Sequence, residues 1–375
     1  MNCKFISVIF LSVLASGVRG GDGGPDFIDL SRDFSKDTVV AAGTAELYQG
    51  HPTTVQLPGT ETVLCVWCTP HGGHAGQLAR SEDGGRTWTR QDGLLPPGMS
   101  NHWNCPSIYR IVGPDGTARL FVFSAYLGND RQRFANAMPS IVSEDDGRSW
   151  RELPPLGAAF RCVMTFTSMV PLKDGRTMAF FHRGPADGKD RHPLEVLATV
   201  TADGGFTWSE PRVVCRVEGK SPCEAFALRS DDGDELCLIM RENTRTGHSL
   251  MTTSRDEGQT WTPARETAWA LTGDRHAGVR LPDGRWLIAF RDTAPKSPTK
   301  GHFVAWLGTY DDIVACRPGQ RLKLLHNYDG WDCGYPGVSL LPDGHVLAVT
   351  YIKYHDGPER QSVVACRLVP PPPQR

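Results

Sequence analysis

Short apolar runs on either side of paired turn residues dominate this chain after its N-terminal segment. Segments such as GVRLPDGRWLIAF and VSLLPDGHVLAVTY place aliphatic, β-branched and aromatic residues around an Asp-Gly pair. Such a pair between apolar runs is a strong signal for a tight β-hairpin, and the composition of the runs suits sheets packed on both faces. No useful length of helical periodicity follows the N-terminus. The pattern therefore predicts an all-β chain built from hairpins.

Six such hairpin turns occur at similar intervals along the chain. Each turn ends in a glycine and separates two strand-like runs. The six glycines are Gly59, Gly116, Gly175, Gly233, Gly284 and Gly344. Repeated units of this size are typical of propellers and solenoids. We therefore predict a six-bladed β-propeller with one hairpin turn in each blade.

A second repeat supports this architecture. The phrase S/T-x-D-x-G-x-T/S-W occurs four times, as SEDGGRTW, SEDDGRSW, TADGGFTW and SRDEGQTW, beginning at residues 81, 143, 201 and 254. Its Asp can accept backbone hydrogen bonds, its Gly supplies a positive φ, and its Trp is an apolar anchor. The phrase resembles the Asp-box of the sialidase (neuraminidase) superfamily, a hairpin between the third and fourth strands of a blade. The resemblance implies a structural role on the rim, away from the active site.

The last two blades lack this phrase. The fifth still offers four strands, at 276–281, 285–291, 302–310 and 320–326, whereas the sixth ends after a third strand from Ser362 to Leu368. The segment Phe27 to Val40 precedes blade 1 and is expected to supply the missing strand, which would leave fewer exposed edges. We predict one all-β domain at residues 21–369, a six-bladed β-propeller with Asp-box hairpins, followed by a Pro-rich tail at 370–375.

Composition and the N-terminus narrow the class of protein. The net charge of −2 over 375 residues gives no reason to expect a nucleic acid or a membrane surface as partner. Residues 1–20 combine Lys4, a short apolar core and small residues, as in a cleaved signal peptide. Cys65 and Cys68 lie in one predicted strand and are interpreted as packed thiols. We expect a periplasmic or secreted monomer with no membrane span, no metal and no cofactor.

The hairpin turns also locate the predicted axis. Counting back seven residues from the turn positions 58, 114, 173, 231, 282 and 342 gives the expected start of each inner strand: His51, Ser107, Phe166, Glu224, Arg275 and Tyr335. A slip in register would bring in Asn104 or Thr167. Inner strands of a propeller begin near its central channel. Polar residues from separate blades are therefore predicted to converge on one axial site.

Several of these residues resemble the sialidase catalytic set. Tyr335, in DCGYPGVSLL, resembles the family's catalytic Tyr on the sixth blade, and Glu224 resembles its partner on the fourth. Arg241 follows Glu224 at close to the family's interval and resembles an Arg that binds the sugar carboxylate. A phenol suits an anionic sugar better than a carboxylate nucleophile would, and a nearby carboxylate can take its proton, since free Tyr titrates at about 10.

Other positions depart from the family pattern. His51 stands where sialidases have a first-blade Arg, and TPHGGHAGQLAR has no carboxylate where they have a general-acid Asp. Histidine suits proton transfer near neutral pH but holds a carboxylate less firmly than Arg does. Asp332 is a further candidate carboxylate, and Asp274 is interpreted as a turn residue. The catalytic candidates are Tyr335, Glu224, His71 and His74, and the substrate-binding candidates are Arg241, Arg275, Arg291, His51, His302 and Asn104.

The sequence predicts an exported, exo-acting glycoside hydrolase of the sialidase type, which releases a terminal, anionic sugar from a glycan. Two alternatives remain open. One is a different exo-glycosidase on the same propeller, in which a carboxylate such as Glu224 or Asp332 carries the acid/base step. The other is a carbohydrate-binding propeller without turnover. The fold alone does not separate them.

Overall fold

The six predicted blades are present, each built on four antiparallel strands. The computed structural model describes residues 27–128, 136–184 and 193–373, together with the backbone of Gly17–Val18, so the predicted signal peptide lies almost wholly outside the described residues. From the inner strand outward, blade 1 is Gly50–Gln56, Val63–Thr69, His74–Ser81 and Thr89–Arg90; blade 2 is Ser107–Val112, Ala118–Phe123, Ser140–Ser143 and Arg151–Leu153; blade 3 is Met164–Pro171, Thr177–Arg183, Glu195–Thr201 and Arg212–Cys215; blade 4 is Pro222–Arg229, Leu236–Glu242, Leu250–Ser254 and Arg265–Glu266; blade 5 is Gly273–Arg280, Trp286–Asp292, Phe303–Gly308 and Gln320–Leu325; and blade 6 is Gly334–Leu340, Val346–Ile352, Ser362–Leu368 and Asp37–Ala41.

The N-terminal segment closes the ring as predicted. Asp37–Ala41 pairs antiparallel with Ser362–Leu368 and becomes the outer strand of blade 6. The beginning of the predicted donor segment does something else, because Phe27–Asp29 pairs in parallel with Gln320–Leu325 of blade 5. Gly17–Val18 pairs with Phe27–Asp29 in turn. The N-terminal segment therefore covers the outer edges of two adjacent blades.

Blade 5 carries a short α-helix where blades 1 to 4 carry an Asp-box. Its third strand ends at Gly308, two residues earlier than the predicted 302–310 strand, and the helix Tyr310–Val314 follows. The Thr309 hydroxyl accepts a hydrogen bond from the Asp312 amide, and the Asp312 carboxylate accepts one from the Thr309 amide. This reciprocal cap is a known start signal for a helix.

The remaining elements are short. Two-residue strands His102–Trp103 and Tyr126–Leu127 pair with each other and extend the sheet of blade 1. The 3-10 helices are Phe34–Lys36, Asp92–Leu94, Pro97–Asn101, Ala158–Phe160 and Trp269–Leu271. Near the C-terminus, the Arg285 guanidinium donates to the Pro371 carbonyl, 2.8 Å away, so the predicted tail contacts blade 5.

The hydrophobic core lies between the blades. Six apolar clusters fill the six interfaces between neighbouring sheets. Between blades 2 and 3, for example, Phe121, Phe166 and Phe181 are fully buried. The Phe123 ring contacts both Phe121 and Phe166, and the Phe166 ring contacts Phe181. Burial of each large apolar side chain contributes about 1.5–3 kcal/mol. The central strands are therefore apolar on both faces, which explains the continuous apolar runs in the sequence.

The Asp-boxes are structural hairpins, as the resemblance implied. In the second box Asp145 accepts bonds from the Arg148 and Ser149 amides at 3.0 and 2.8 Å and from the Ser149 hydroxyl at 2.6 Å. Burial alone would raise the pKa of Asp145, but these bonds outweigh it and lower the pKa to about 2. Gly147 has φ 83°, and its carbonyl accepts from the Trp150 indole. The boxes follow third strands, so they lie on the face opposite the starts of the inner strands.

Candidate active site

Four inner strands begin with the same backbone irregularity. The residues are His51, Glu224, Arg275 and Tyr335, and their φ angles are all between 51° and 53°. At each of them the pairing with the second strand shifts register, which is the signature of a β-bulge. A positive φ is unfavourable for a residue with a side chain, and such strain concentrates at functional sites. These are four of the six residues that the hairpin count predicted.

Tyr335 and Glu224 are in direct contact across the axis. The Tyr335 hydroxyl donates a hydrogen bond of 2.6 Å to Glu224 Oε1, and Arg241 Nη1 donates to the same oxygen at 2.9 Å. The Glu224 residue is 3 % exposed. Its second oxygen, Oε2, is buried and has no hydrogen-bond partner among the described residues. A phenol, a carboxylate and a guanidinium from blades 6 and 4 thus share one hydrogen-bonded unit.

The electrostatics of this unit keep the phenol protonated and the carboxylate charged. Burial raises the pKa of Tyr335 well above its ordinary value, and the Glu224 charge raises it further. Burial would also raise the pKa of Glu224, but the Arg241 charge outweighs it and the net shift is downward. The hydrogen bond places the ionised Glu224 carboxylate where it can accept a proton from Tyr335, whereas both pKa shifts favour the resting state with the proton on the phenol. His182 supports Glu224 from below, where its Nδ1 accepts from the Glu224 amide at 3.4 Å.

Asp274 occupies the centre of an arginine cluster. Its carboxylate contacts three guanidinium groups, from Arg241, Arg245 and Arg291. Arg245 Nη2 and Arg291 Nε donate to Asp274 Oδ2 at 2.8 and 3.0 Å, and Arg241 Nε lies 3.1 Å from Oδ1. Asp274 is 1 % exposed. The interpretation of Asp274 as a turn residue was wrong: it is the buried anion around which the predicted substrate-binding arginines Arg241 and Arg291 are arranged.

A second carboxylate lies on the other side of Tyr335. Asp332 accepts hydrogen bonds from the hydroxyls of Tyr48 and Tyr351 at 2.8 and 2.7 Å. His71 Nδ1 is 2.9 Å from the Tyr48 hydroxyl and 3.6 Å from Asp332 Oδ2. Burial opposes ionisation, but these contacts outweigh it and hold the pKa of Asp332 well below its ordinary value. His71 is the exposed member of this group, with 58 % of its side chain accessible.

His51 connects the two groups. Its ring meets the rings of Tyr335 and His71 edge to face, with centroids 4.4 and 4.3 Å apart. It is 2 % exposed, and its Nδ1 lies 3.2 Å from the Cys68 thiol. Burial lowers the pKa of His51 well below its ordinary value, and the neighbouring His71 acts in the same direction. His51 is therefore neutral and packs against the Tyr335 phenol.

Four other predicted residues do not join this hydrogen-bonded centre, although the Arg275 charge is near enough to contribute to the lowered pKa of His51 and His182. Arg275 is buried, and its Nη1 donates to the Thr167 carbonyl of blade 3 at 2.6 Å, away from the Asp274 cluster. His74 packs on Trp103, with centroids 4.1 Å apart. Asn104 donates to the Val163 carbonyl at 2.6 Å. His302 accepts from the Asn327 amide at 3.1 Å, so its described contacts are on the outer part of blade 5.

The structure adds residues that sequence reasoning missed. Besides Asp274, these are Arg245, Tyr48 and Tyr351. Trp331 joins them: its ring, 41 % exposed, lies 4.9 Å from the Arg291 guanidinium and 5.4 Å from that of Arg245. A cleft of about 220 Å³ opens beside it, between blades 4 and 5. The one sequence signal was proximity, because Asp274, Arg245, Tyr48 and Trp331 each lie within a few positions of a predicted site residue. Tyr351, near the end of the strand Val346–Ile352, had no such signal.

The structure also bears on cofactors and membrane attachment. Within the ranges that the structure describes, no group of three or more His, Cys, Asp or Glu side chains is placed to hold a metal ion. Cys65 and Cys68 are both buried and unbridged, as expected for packed thiols. None of the helices in those same ranges is long and apolar enough to span a bilayer.

Comparison with known proteins places the chain in a family. No curated protein sequence matches it significantly. A protein of unknown function from Dyadobacter fermentans has a similar structure, at 17 % identity and TM-score 0.68, over 88 % of this chain and 97 % of that one. An α-L-arabinofuranosidase from Fusarium graminearum is similar at 10 % identity and TM-score 0.66, over 89 % of this chain and 97 % of that one. A sialidase from Streptococcus pneumoniae is similar at 15 % identity and TM-score 0.57, over 88 % of this chain and 69 % of that one. At such identities the likeness concerns the fold. The family model of the BNR repeat-like domain matches residues 77–347, and because this is well over half of the chain, the protein belongs to the BNR repeat-like domain family.

Proposed function

We propose that this protein is an exo-acting glycoside hydrolase in which Tyr335 is the nucleophile and Glu224 its base. The observation that carries the proposal is the 2.6 Å hydrogen bond from the Tyr335 hydroxyl to Glu224 Oε1 at the axis of the propeller. A phenol is a weak nucleophile until a positioned base takes its proton. The glycosidases among the proteins of similar fold support this class of reaction.

The proposed reaction has two steps. In the first, Tyr335 Oη attacks the anomeric carbon, its proton passes to Glu224, and the bond from the anomeric carbon to the leaving-group oxygen breaks. In the second, water attacks the same carbon of the tyrosyl glycoside and the bond from that carbon to Tyr335 Oη breaks. Glu224 returns its proton to the phenolate, and the group that protonated the leaving oxygen in the first step takes the proton that the water loses. Two displacements at one carbon retain its configuration. Arg241, at 2.9 Å from the Glu224 oxygen, keeps that carboxylate charged between turnovers.

We assign the proton on the leaving group to His71 rather than His74. His71 is exposed at the mouth of the site and contacts the Tyr48–Asp332 pair. A carboxylate that orients a histidine is a common feature of acid–base catalysis. His74 instead packs on Trp103 and is 2.9 Å from the Ser100 carbonyl. The two histidines that the sequence left as alternatives therefore differ in what surrounds them.

The charge balance favours a neutral terminal sugar over the anionic one that the sequence suggested. Arg241, Arg245 and Arg291 are matched by three carboxylates, those of Glu224, Asp274 and Asp332. A sugar carboxylate would have to displace the buried Asp274 from its guanidinium partners, and breaking a buried ion pair costs about 3–5 kcal/mol. We therefore expect cleavage of neutral glycosides, with little activity on sialosides.

The test is a panel of aryl glycosides that includes α-L-arabinofuranosides, other neutral sugars and α-sialosides. We expect release from a neutral member, and a loss of about 10³-fold or more in kcat/KM for Tyr335→Phe. Tyr328→Phe is the matched control, because Tyr328 is an exposed tyrosine on a nearby loop. If Tyr335→Phe keeps most of the activity, a carboxylate mechanism replaces this one. If no glycoside is cleaved but one is bound, the protein is a carbohydrate-binding propeller.

We also propose that the protein is exported. The support is the N-terminal sequence alone, in which a Lys precedes a short apolar core and small residues. N-terminal sequencing of the protein recovered from periplasmic or culture fractions should show a start close to residue 21. Recovery of full-length chain from the cytoplasm would contradict export.

A further inference from the structure

A cavity on the propeller axis lies behind the proposed active site. Its volume is about 410 Å³, and its wall contains residues from the inner strands of all six blades. Arg275 stands at the end where the inner strands begin, while Pro171 and Arg229, the last residues of their strands, stand at the other. The cavity therefore extends from beneath the Tyr335–Glu224 unit toward the Asp-box face. The proposed reaction uses none of this space.

Arg275 is unusual among the buried arginines of the described chain. Four arginines are less than a tenth exposed, and Arg275 is 3 % exposed. The other three each have a carboxylate partner: Arg80 with Glu82, Arg291 with Asp274, and Arg321 with Asp292. Arg275 has none among the described residues, since its Nη1 donates to the Thr167 carbonyl and its buried Nε has no partner.

An unpaired buried guanidinium is energetically unfavourable. Transfer of an isolated charge out of water costs several kcal/mol even after relaxation, and a charged guanidinium cannot relieve this by losing its proton. The Thr167 carbonyl and the Tyr109 hydroxyl supply dipoles to this guanidinium but no countercharge. A further hydroxyl on the cavity wall, Thr54 Oγ1, is also buried without a partner. The cavity therefore offers one positive charge and at least one free donor to whatever fills it.

We propose that the axial cavity binds a small monovalent anion, a halide or a small carboxylate, against the guanidinium of Arg275. One guanidinium matches one negative charge, and the cavity leaves room for the water molecules that complete the anion's shell. The site lies beneath the proposed glycosidase centre and is distinct from its arginine cluster, because the guanidinium donates into blade 3 and takes no part in the Asp274 cluster. The anion stabilises the folded propeller by neutralising the one buried arginine that the described chain leaves unpaired.

Diffraction gives the direct test. Crystals of the full chain soaked in sodium bromide, or separately in sodium formate, are compared with crystals held in a salt of a bulky anion. We expect an anomalous bromide peak within hydrogen-bonding distance of Arg275 Nε or its terminal nitrogens. Formate density at that position without bromide would identify a carboxylate site. Ordered water alone in every soak would overturn the proposal.

Thermal unfolding in solution gives an independent test. Titration with bromide at constant ionic strength should raise the wild-type folding equilibrium constant by roughly 100-fold at 100 times the Kd. Arg275→Gln keeps a donor for the Thr167 carbonyl but removes the charge, so its unfolding should not respond to bromide. Arg275→Lys should still be stabilised by bromide, but half of the effect should require a higher bromide concentration than in the wild type. Arg280→Gln is the matched control, since Arg280 lies on the same strand and pairs with Asp231 at the surface.

The tests of the anion site can be distinguished from the tests of the proposed glycosidase activity. Tyr335→Phe should keep the full bromide response, because the phenol is not part of the cavity wall. At low concentrations of small anions, Arg275→Gln should be at least as stable as the wild type, which is an unusual result for removing a buried side chain. An equal bromide response in wild type and Arg275→Gln would refute an Arg275 site, whatever the glycoside assays show.

Discussion

Replacement of Asp274 by Asn tests the charge arrangement at the centre of the site. The substitution keeps the size of the side chain and removes the one carboxylate that three guanidinium groups share. The Arg291 and Arg241 side chains are only 6 % and 15 % exposed, so solvent screens their charges poorly. We therefore expect Asp274→Asn to destabilise the fold and to leave a vacant anion-binding position beside Tyr335.

The magnitude follows from the burial of these pairs. Removing one member of a buried ion pair costs about 3–5 kcal/mol, and the more exposed Arg245 adds little to that. Unfolding of the roughly 330 residues that the structure describes has an entropy of about 0.7 kcal/mol per kelvin, so Tm should fall by ~4–7 °C. Asp283→Asn is the control: Asp283 pairs with Arg285 on an exposed hairpin of the same blade, where a pair is worth about 0.2–1 kcal/mol.

Calorimetry with and without N-acetylneuraminic acid completes the experiment. A sugar carboxylate can occupy the place that Asp274 leaves, so it should recover part of the lost stability in Asp274→Asn and have little effect on the wild type. If Asp274→Asn unfolds at the wild-type temperature, the carboxylate does not hold the arginines together. If the wild type binds the acidic sugar as well as the variant does, the expectation of a neutral substrate is wrong.

Three further predictions concern acid stability, the Asp-box and the rim of the site. The pKa of Asp274 is depressed in the folded state, so its contribution to stability is present above about pH 4 and is lost as pH falls further. The free energy of unfolding, measured by denaturation at about pH 5 and about pH 3, should therefore change less between the two pH values for Asp274→Asn than for the wild type. Equal changes would contradict this. Gly205→Ala should lower Tm more than Gly175→Ala. Both positions have positive φ, but a Cβ at Gly205 would lie 2.8 Å from the Phe121 ring, whereas Gly175 faces open space. An equal fall in Tm for the two variants would show that the Asp-box tolerates the contact. Trp331→Ala should raise KM several-fold with kcat nearly unchanged on any glycoside that is cleaved, because the exposed ring can stack on a sugar; a fall in kcat alone would exclude a binding role.

The propeller itself was predictable because its signals are local and repeated. Hairpin turns and Asp-boxes each depend on a few adjacent residues, and six copies gave the blade count. The distance from bulge to turn glycine is nine residues for Glu224, Arg275 and Tyr335 and eight for His51. This near-constancy has a physical cause, since both strands of a hairpin share one register. His51, Glu224, Arg275 and Tyr335 were found for this reason. The helix at Tyr310–Val314 was missed, although its Thr309–Asp312 capping pair was present in the sequence.

The chemistry of the site was less predictable because bulges and loops decide it. Asp274 and Arg275 are adjacent at a bulge, and the pattern does not say which of the two faces the arginine cluster. The structure points Asp274 into the cluster and Arg275 toward blade 3. Arg245 comes from the loop after the second strand of blade 4, whose course no periodicity describes. His302 was selected because the sialidase resemblance implies an Arg at the start of the third strand of blade 5, but the contacts of His302 are with Asn327 and His326.

The pairing of Asp37–Ala41 with Ser362–Leu368 constrains the order in which the molecule can form. During synthesis Asp37–Ala41 is made long before Ser362–Leu368, so this N-terminal strand has no partner until nearly the entire polypeptide has been made. Contacts across such separations are slow to form. Until the two strands pair, the incomplete propeller has unpaired strand edges at both ends of its series of blades, and such edges associate readily with other chains. A shortened C-terminus would therefore be expected to aggregate during synthesis rather than yield a stable five-sheet remnant.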